Sequence, residues 1–278
     1  MNLKRSFTYV CLVLLTSSIS SAIKVNAQAI QQSEVYSTDF ENGSEDWKFV
    51  DMGWAIAVES TTPEKTDQKS KEKTSTKESK PAAVNHVLSQ HTKKSEYKPP
   101  FRSPFHMALL KEKTVTDFQL DVRVHSTHKD YPHRDACLFF GYQNPSQFYY
   151  VHLGKKGDDH ANQIFIVNKA ARTKISLTTT VGTPWTDNWH NVRITRNIES
   201  GDIKVYFDDM DTAAMTANDK TFTWGQVGMG TFDDTADFDD FKLTGKLVDK
   251  VVDDSVKEPK DSTKGSGDSA TKSEDSAR

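Results

Sequence analysis

Between Phe101 and Thr173 the 278-residue sequence gathers side chains that exchange protons and grip anions: Arg102, Arg123, His125, Arg134, Tyr142, Gln143, Tyr150, His152, His160 and Asn162. A histidine or tyrosine can take a proton from carbon, and a second such group can return one to a departing oxygen. A cation or amide beside a carboxylate neutralises it and acidifies the neighbouring C–H bond. Together these are the groups that a β-elimination next to a carboxylate needs. Tyr150 and His152 are the expected base and acid, with His160 in reserve, while Arg123, His125 and Arg134 complete the reacting set. Tyr142, Gln143, Asn162 and Arg102 are expected to contact the substrate.

Strand alternation decides which of these residues can share a surface. In Phe148–Leu153, Tyr149, Val151 and Leu153 point one way and Phe148, Tyr150 and His152 the other. The first side is apolar and predicts core, which leaves Tyr150 and His152 on a more polar side, about 7 Å apart along the strand. In Asp117–His125, Phe118, Leu120, Val122 and Val124 alternate with Asp121, Arg123 and His125, so the charged residues face away from the core. The run Ala136–Tyr142 is apolar on both sides and has no evident orientation. Further strands are expected at 162–168, 189–196, 203–208 and 238–244, broken by turn sequences such as Gln143-Asn144-Pro145-Ser146 and Glu199-Ser200-Gly201-Asp202. Helical periodicity is scarce. Many short strands with frequent turns predict an all-β sandwich of two antiparallel sheets.

The C-terminal half adds a pattern. Trp189-His-Asn-Val-Arg-Ile-Thr-Arg196 is followed by Gly201-Asp-Ile-Lys-Val-Tyr-Phe-Asp-Asp209, Gly225-Gln-Val-Gly-Met-Gly230 and Phe238-Asp-Asp-Phe-Lys-Leu243. In that order these segments resemble the closing strands of the concanavalin A-like and laminin G-like jelly rolls, with Asp39–Gly43, Trp47 and Trp54 similar to the first strand. The resemblance implies a concanavalin A-like jelly roll that holds a sugar on its concave sheet. The central segment is more faintly similar to secreted proteins of ulvan-type algal-polysaccharide utilisation. On this footing the expected substrate is an acidic, uronate-containing polysaccharide or oligosaccharide. The expected activity is that of a carbon–oxygen lyase, either a polysaccharide lyase or a dehydratase.

Other readings use the same residues. Aromatic rings stacking on pyranose faces, with arginines gripping acidic groups, also describe a non-catalytic, lectin-like module. Retaining hydrolysis needs two nearby carboxylates, carried in this fold as E-x-D-x-x-E, and the sequence has no such motif. His125, His128 and His133 match no helix-borne zinc spacing. The acidic run from Asp233 and Asp234 to Asp240 suits a hard cation. The resemblance implies structural calcium where first and last strands meet, with Asp233, Asp234 and Asp39 as ligands; no other cofactor is expected.

Two basic residues, an apolar run from Phe7 to Leu15 and Ala27-Gln28-Ala29 lay out a signal peptide over 1–29, predicting a secreted or periplasmic protein with no membrane span. Cys11 leaves with it, so Cys137 remains alone in an apolar setting and reads as core filler. Residues 61–80 and 246–278 are rich in Lys, Glu, Ser and Thr and are expected to be a disordered insertion and tail, leaving a domain over 34–245. A net charge of −3 carries no nucleic-acid signature.

Overall fold

The computed structural model describes residues 33–59 and 84–255. The expected signal peptide and the 61–80 insertion lie outside the described residues. In chain order the strands are Ser33–Thr38 (β1), Trp47–Val50 (β2), Trp54–Val58 (β3), His86–Gln90 (β4), His106–Leu110 (β5), Thr114–Ser126 (β6), Cys137–Asn144 (β7) and Gln147–His152 (β8). Gln163–Asn168 (β9), Thr173–Lys174 (β10), Ser176–Thr179 (β11), His190–Arg196 (β12), Asp202–Phe207 (β13), Met215–Asn218 (β14), Gln226–Thr231 (β15) and Ala236–Val248 (β16) follow. Every strand pairing among the described residues is antiparallel. There is no helix among them, hence none long and apolar enough to cross a membrane.

The strands form two sheets. One runs β11-β14-β13-β12-β6-β16-β4-β3, with β1 also on β16; the other runs β10-β9-β8-β7-β15-β5-β2. The chain crosses between the sheets repeatedly, for example from β6 to β7, from β10 to β11 and from β14 to β15 to β16, and the two pack face to face as a jelly-roll sandwich. Alternation determines the inner layer. Phe118, Leu120, Val122 and Val124 of β6 meet Val192 and Ile194 of β12 and face Leu138, Phe140, Tyr149 and Val151 of β7 and β8 in one apolar core. In β15, Gly228 and Gly230 leave room for β5: a Cβ on Gly230 would lie 1.9 Å from the His106 carbonyl oxygen.

Three expectations change. Asp39–Gly43 is a turn rather than a strand, closed by the Gly43 N–H donating to the Phe40 carbonyl at 3.2 Å; β1 precedes it. The tail does not start at Lys246, because β16 continues to Val248 and the chain stays packed beyond it. There the Asp253 N–H donates to the Gln143 carbonyl at 3.0 Å, and Asp254 pairs with Lys48.

The third change concerns the second face of the β7–β8 sheet, expected to be polar and open. It carries another apolar cluster of Met107, Leu109, Cys137, Phe139, Tyr142, Phe148, Tyr150 and Phe165, against which Tyr97, Phe101, Phe105 and Val252 pack. The segment from His91 to Phe105 and the chain after β16 bring those covering side chains. The central strands β5, β7, β8 and β15 are therefore buried on both faces, and β7 is apolar on both sides for that reason.

One buried group gives the fold a pH dependence. His106 is wholly buried, Asp51 Oδ2 is its neighbour at 3.4 Å, and neither ring nitrogen has a hydrogen-bond partner among the described residues. Burial holds its pKa below the ordinary 6.5, against weaker opposing pulls from Asp51 and Asp135. As pH falls through that ordinary value, the unfolded chain takes up a proton that the folded one resists, so stability falls. The expected slope approaches about 1.4 kcal/mol per pH unit. Urea midpoints between about pH 7 and 5 should show it, and His106→Met should remove it. An unchanged slope in that variant would show that other groups cause the dependence.

Candidate functional site

At one end of the second apolar cluster, where β8 and the β15–β16 turn emerge, the covering segment leaves a cavity of about 440 Å³. Its walls include Arg102, Tyr131, Asp135, His152, Arg172 and Phe232. Lys93, His133, Asp158, His160 and Asp233 line it as well. Strand β8 delivers His152 as its last residue, and Asp135 stands two residues before Cys137, the start of β7. Cys137 and His152 are direct cross-strand partners.

Two guanidinium groups dominate the chemistry. Arg102 and Arg172 lie over the Phe232 ring at 5.6 and 4.5 Å from its centroid, and the Arg172 N–H donates to the Arg102 carbonyl at 3.3 Å. Arg172 Nη1 also donates to the Tyr150 hydroxyl at 3.0 Å. Arg123, Arg134 and Arg193 have carboxylate partners, and Arg196 is spent on main-chain carbonyls. Among the described residues Arg102 and Arg172 have neither. They are cations with open valence, aimed at a cavity.

The carboxylates nearby are mostly engaged. Asp135 Oδ1 accepts from the Phe232 N–H at 3.0 Å, and Asp158 Oδ1 accepts from the His160 and Ala161 N–H groups at 2.6 and 2.9 Å. Asp234 is completely buried; it accepts from the Tyr131 hydroxyl at 2.6 Å and the Asp135 N–H at 3.0 Å, and Lys93 Nζ lies 2.9 Å away. Asp233 lines the mouth, its pKa raised by enclosure first and then by Asp135 and Asp234.

His152 is fixed by both ring nitrogens, Nδ1 at 2.9 Å from the His160 carbonyl oxygen and Nε2 at 3.1 Å from Asp135 Oδ2. Both nitrogens are engaged within the protein in this arrangement, although the ring lines the cavity. Tyr150 is corrected. It is fully buried, stacked on Phe165 at 5.1 Å, with its pKa pushed up by burial. Its hydroxyl holds Arg172 instead of facing the cavity. The imidazoles left exposed at the cavity are His133 and His160.

The remaining expected residues are scattered by the sandwich. Arg123 and His125 lie on the outer face of the other sheet, where Arg123 meets Asp239 and Asp240 at 3.5 and 3.3 Å and covers Trp189. His125 stands 3.8 Å from Asp237. Arg134 is a buried strut, Tyr142 points at Asp254, and Gln143 Nε2 donates to the Trp224 carbonyl at 3.1 Å. Asn162 is completely buried and donates to Thr180 O at 2.8 Å while accepting from Thr183 Oγ1 at 2.9 Å. Of the expected calcium ligands, Asp39 lines a separate hollow with Asp240 and Lys242, away from the turn that carries Asp233 and Asp234. The three do not form one site. Arg172 escaped the sequence reading because it lies in a turn after β9, where alternation assigns no face. Asp135 was visible only as an acidic residue two places before Cys137.

No protein-family profile matches the chain, and no curated protein is significantly similar to it. Solved structures of similar shape include the carbohydrate binding module CBM66 from Bacillus subtilis, 15% identical with a TM-score of 0.47, covering 72% of this chain and 96% of that one. Another is domain 4 of AbnA, a GH43 extracellular arabinanase from Geobacillus stearothermophilus in complex with arabinotriose, at 9% identity and TM-score 0.45, covering 78% and 95%. Winged bean acidic lectin complexed with methyl-α-D-galactose aligns at 12% and 0.45, covering 79% and 100%. Likeness at this level speaks to no chemistry; the sandwich is established by its own strand pairing.

Proposed function

We propose that the cavity binds a carboxylate-bearing saccharide and eliminates across it as a carbon–oxygen lyase. The observation that carries this reading is the pair Arg102 and Arg172, stacked over Phe232 without a carboxylate partner among the described residues and open to a cavity that also holds two exposed imidazoles. The volume of about 440 Å³ falls within the range of small-molecule sites, about 300–1,000 Å³. Its mixed donors and acceptors suit a hydroxyl-rich ligand. The guanidinium pair neutralises the uronate carboxylate and stabilises charge that develops on it. One of His133 and His160 takes the proton from the carbon next to the carboxylate, and that electron pair becomes the new C=C bond. The C–O bond one carbon further breaks, and the other imidazole, protonated, returns a proton to the departing oxygen.

The test is to incubate the protein with a panel of uronate oligosaccharides and weigh the products. A loss of water identifies a dehydratase, and a chain cut with an unsaturated end identifies a polysaccharide lyase. Binding without any mass change would replace this chemistry with the lectin-like function. No binding to any acidic saccharide would overturn the reading as a whole.

A further inference from the structure

We propose that Asp135, Cys137 and His152 form a site for a metal ion of the zinc class in the wall of this cavity, with one coordination position facing the opening. The three donor atoms lie within 4.8 Å of one another, and all three residues are buried. Cys137 and His152 are cross-strand partners, so their side chains leave the sheet side by side on the same face. Asp135 is two residues before Cys137, which places it on that face too. Asp135 and His152 line the cavity, whereas Cys137 is sealed in the apolar cluster behind them.

The hydrogen bonds around the three donors are compatible with a bound cation. The His160 carbonyl can only accept, so His152 Nδ1, 2.9 Å away, carries the ring proton. In the neutral ring, the lone pair of Nε2 then faces Asp135 Oδ2 across 3.1 Å. A proton on the ring or on the carboxyl group satisfies this contact, and so does a metal ion between the two atoms. The Cys137 sulfur, fully buried and free, supplies the third donor within 4.8 Å of the other two. With a proton there Cys137 is core filler alone, whereas a metal ion would use all three donors.

The surroundings are those of a metal ligand set. A ligating histidine generally gives its other N–H to a carbonyl, and a ligating carboxylate is itself hydrogen-bonded. Here the His160 carbonyl serves His152, and the Phe232 N–H serves the second oxygen of Asp135. One sulfur, one nitrogen and one oxygen exclude the hard-cation preference of calcium or magnesium and match zinc. Tetrahedral zinc with bonds of about 2.0–2.3 Å spaces its ligands about 3.3–3.6 Å apart. The Asp135–His152 contact is already near that spacing. Three protein donors leave a fourth place for water or a substrate oxygen.

This site stands on its own residues and does not depend on the saccharide reading. The test is titration of the full-length, reduced protein with cobalt(II) and then zinc. One equivalent of cobalt should give a thiolate-to-cobalt charge-transfer band that zinc abolishes. Cys137→Ala, a small change, should lose the band and bind zinc at least about 100-fold more weakly; His152→Gln should do the same. Arg123→Ala, on the outer face of the other sheet, should leave the cobalt spectrum unchanged. If no band forms, or if Cys137→Ala binds zinc as tightly as the parent, the site is refuted and the contact is an imidazolium–carboxylate pair. Saccharide binding measured on the same samples keeps the two proposals separable.

Discussion

Arg172→Ala is expected to weaken binding of an acidic oligosaccharide by at least about 100-fold, close to 3 kcal/mol, the scale of truncating one partner of a hydrogen-bonded charge pair. Arg172 is held on three sides: Tyr150 Oη accepts from it at 3.0 Å, and the Phe165 and Phe232 rings lie 5.0 and 4.5 Å from its guanidinium. A planar group so confined loses little freedom when a carboxylate arrives, which is why its removal should exceed that of a free surface arginine. Arg172→Lys should recover only part of the affinity, because a lysine keeps the charge but neither the fork nor the stacking. Tyr150→Phe removes one hydrogen bond to Arg172 and should weaken binding less than about tenfold, well short of the loss of a proton-transfer group. Arg123→Ala, on the outer face of the opposite sheet, should change nothing at the cavity. Calorimetric titration with an oligouronate measures all four. Unchanged affinity in Arg172→Ala would place the saccharide elsewhere.

The largest stability effect is expected at Arg134, whose side chain is almost wholly buried. Its guanidinium ties three segments together. Nε donates to Ser126 Oγ at 3.0 Å, Nη2 donates to the Ser126 and Thr186 carbonyls at 2.5 and 2.8 Å, and Nη1 donates to Asp187 at 3.1 Å. Thus the end of β6, the approach to β7 and the loop before β12 share one cation. Arg134→Ala strands the buried Ser126 carbonyl and opens a cavity the length of the side chain. A loss of about 3–5 kcal/mol follows from cavity formation and unsatisfied polar groups together. Urea unfolding reads it directly. A loss below about 1 kcal/mol, accompanied by lost saccharide turnover, would return Arg134 to the reacting set.

The two arginines mark how far the sequence reaches. Alternation in Asp117–His125 and Phe148–Leu153 placed the inner faces of β6 and β8 correctly, because the hydrophobic effect acts on a strand with a period of two wherever one face meets solvent. The closing pattern from Trp189 to Leu243, read as a resemblance, coincides with strands β12, β13, β15 and β16. Strand β7 was ambiguous because both its faces are buried, and a strand buried twice has no polar side to read.

Which polar residues meet was decided only by the tertiary structure. Arg102, Asp135, His152 and Arg172 come from four separate stretches, three of them loops, and are joined at the cavity beside the end of the sheet. Tyr97, Phe101 and Phe105 pack against the cluster that holds Tyr150 and turn an expected open polar face into a second core. Arg123 and Arg134 were indistinguishable from Arg172 as residue types. Sequence determined the sandwich, because burial follows local periodicity. The site depended on long-range packing, because the direction of a loop side chain is set by what lies across from it.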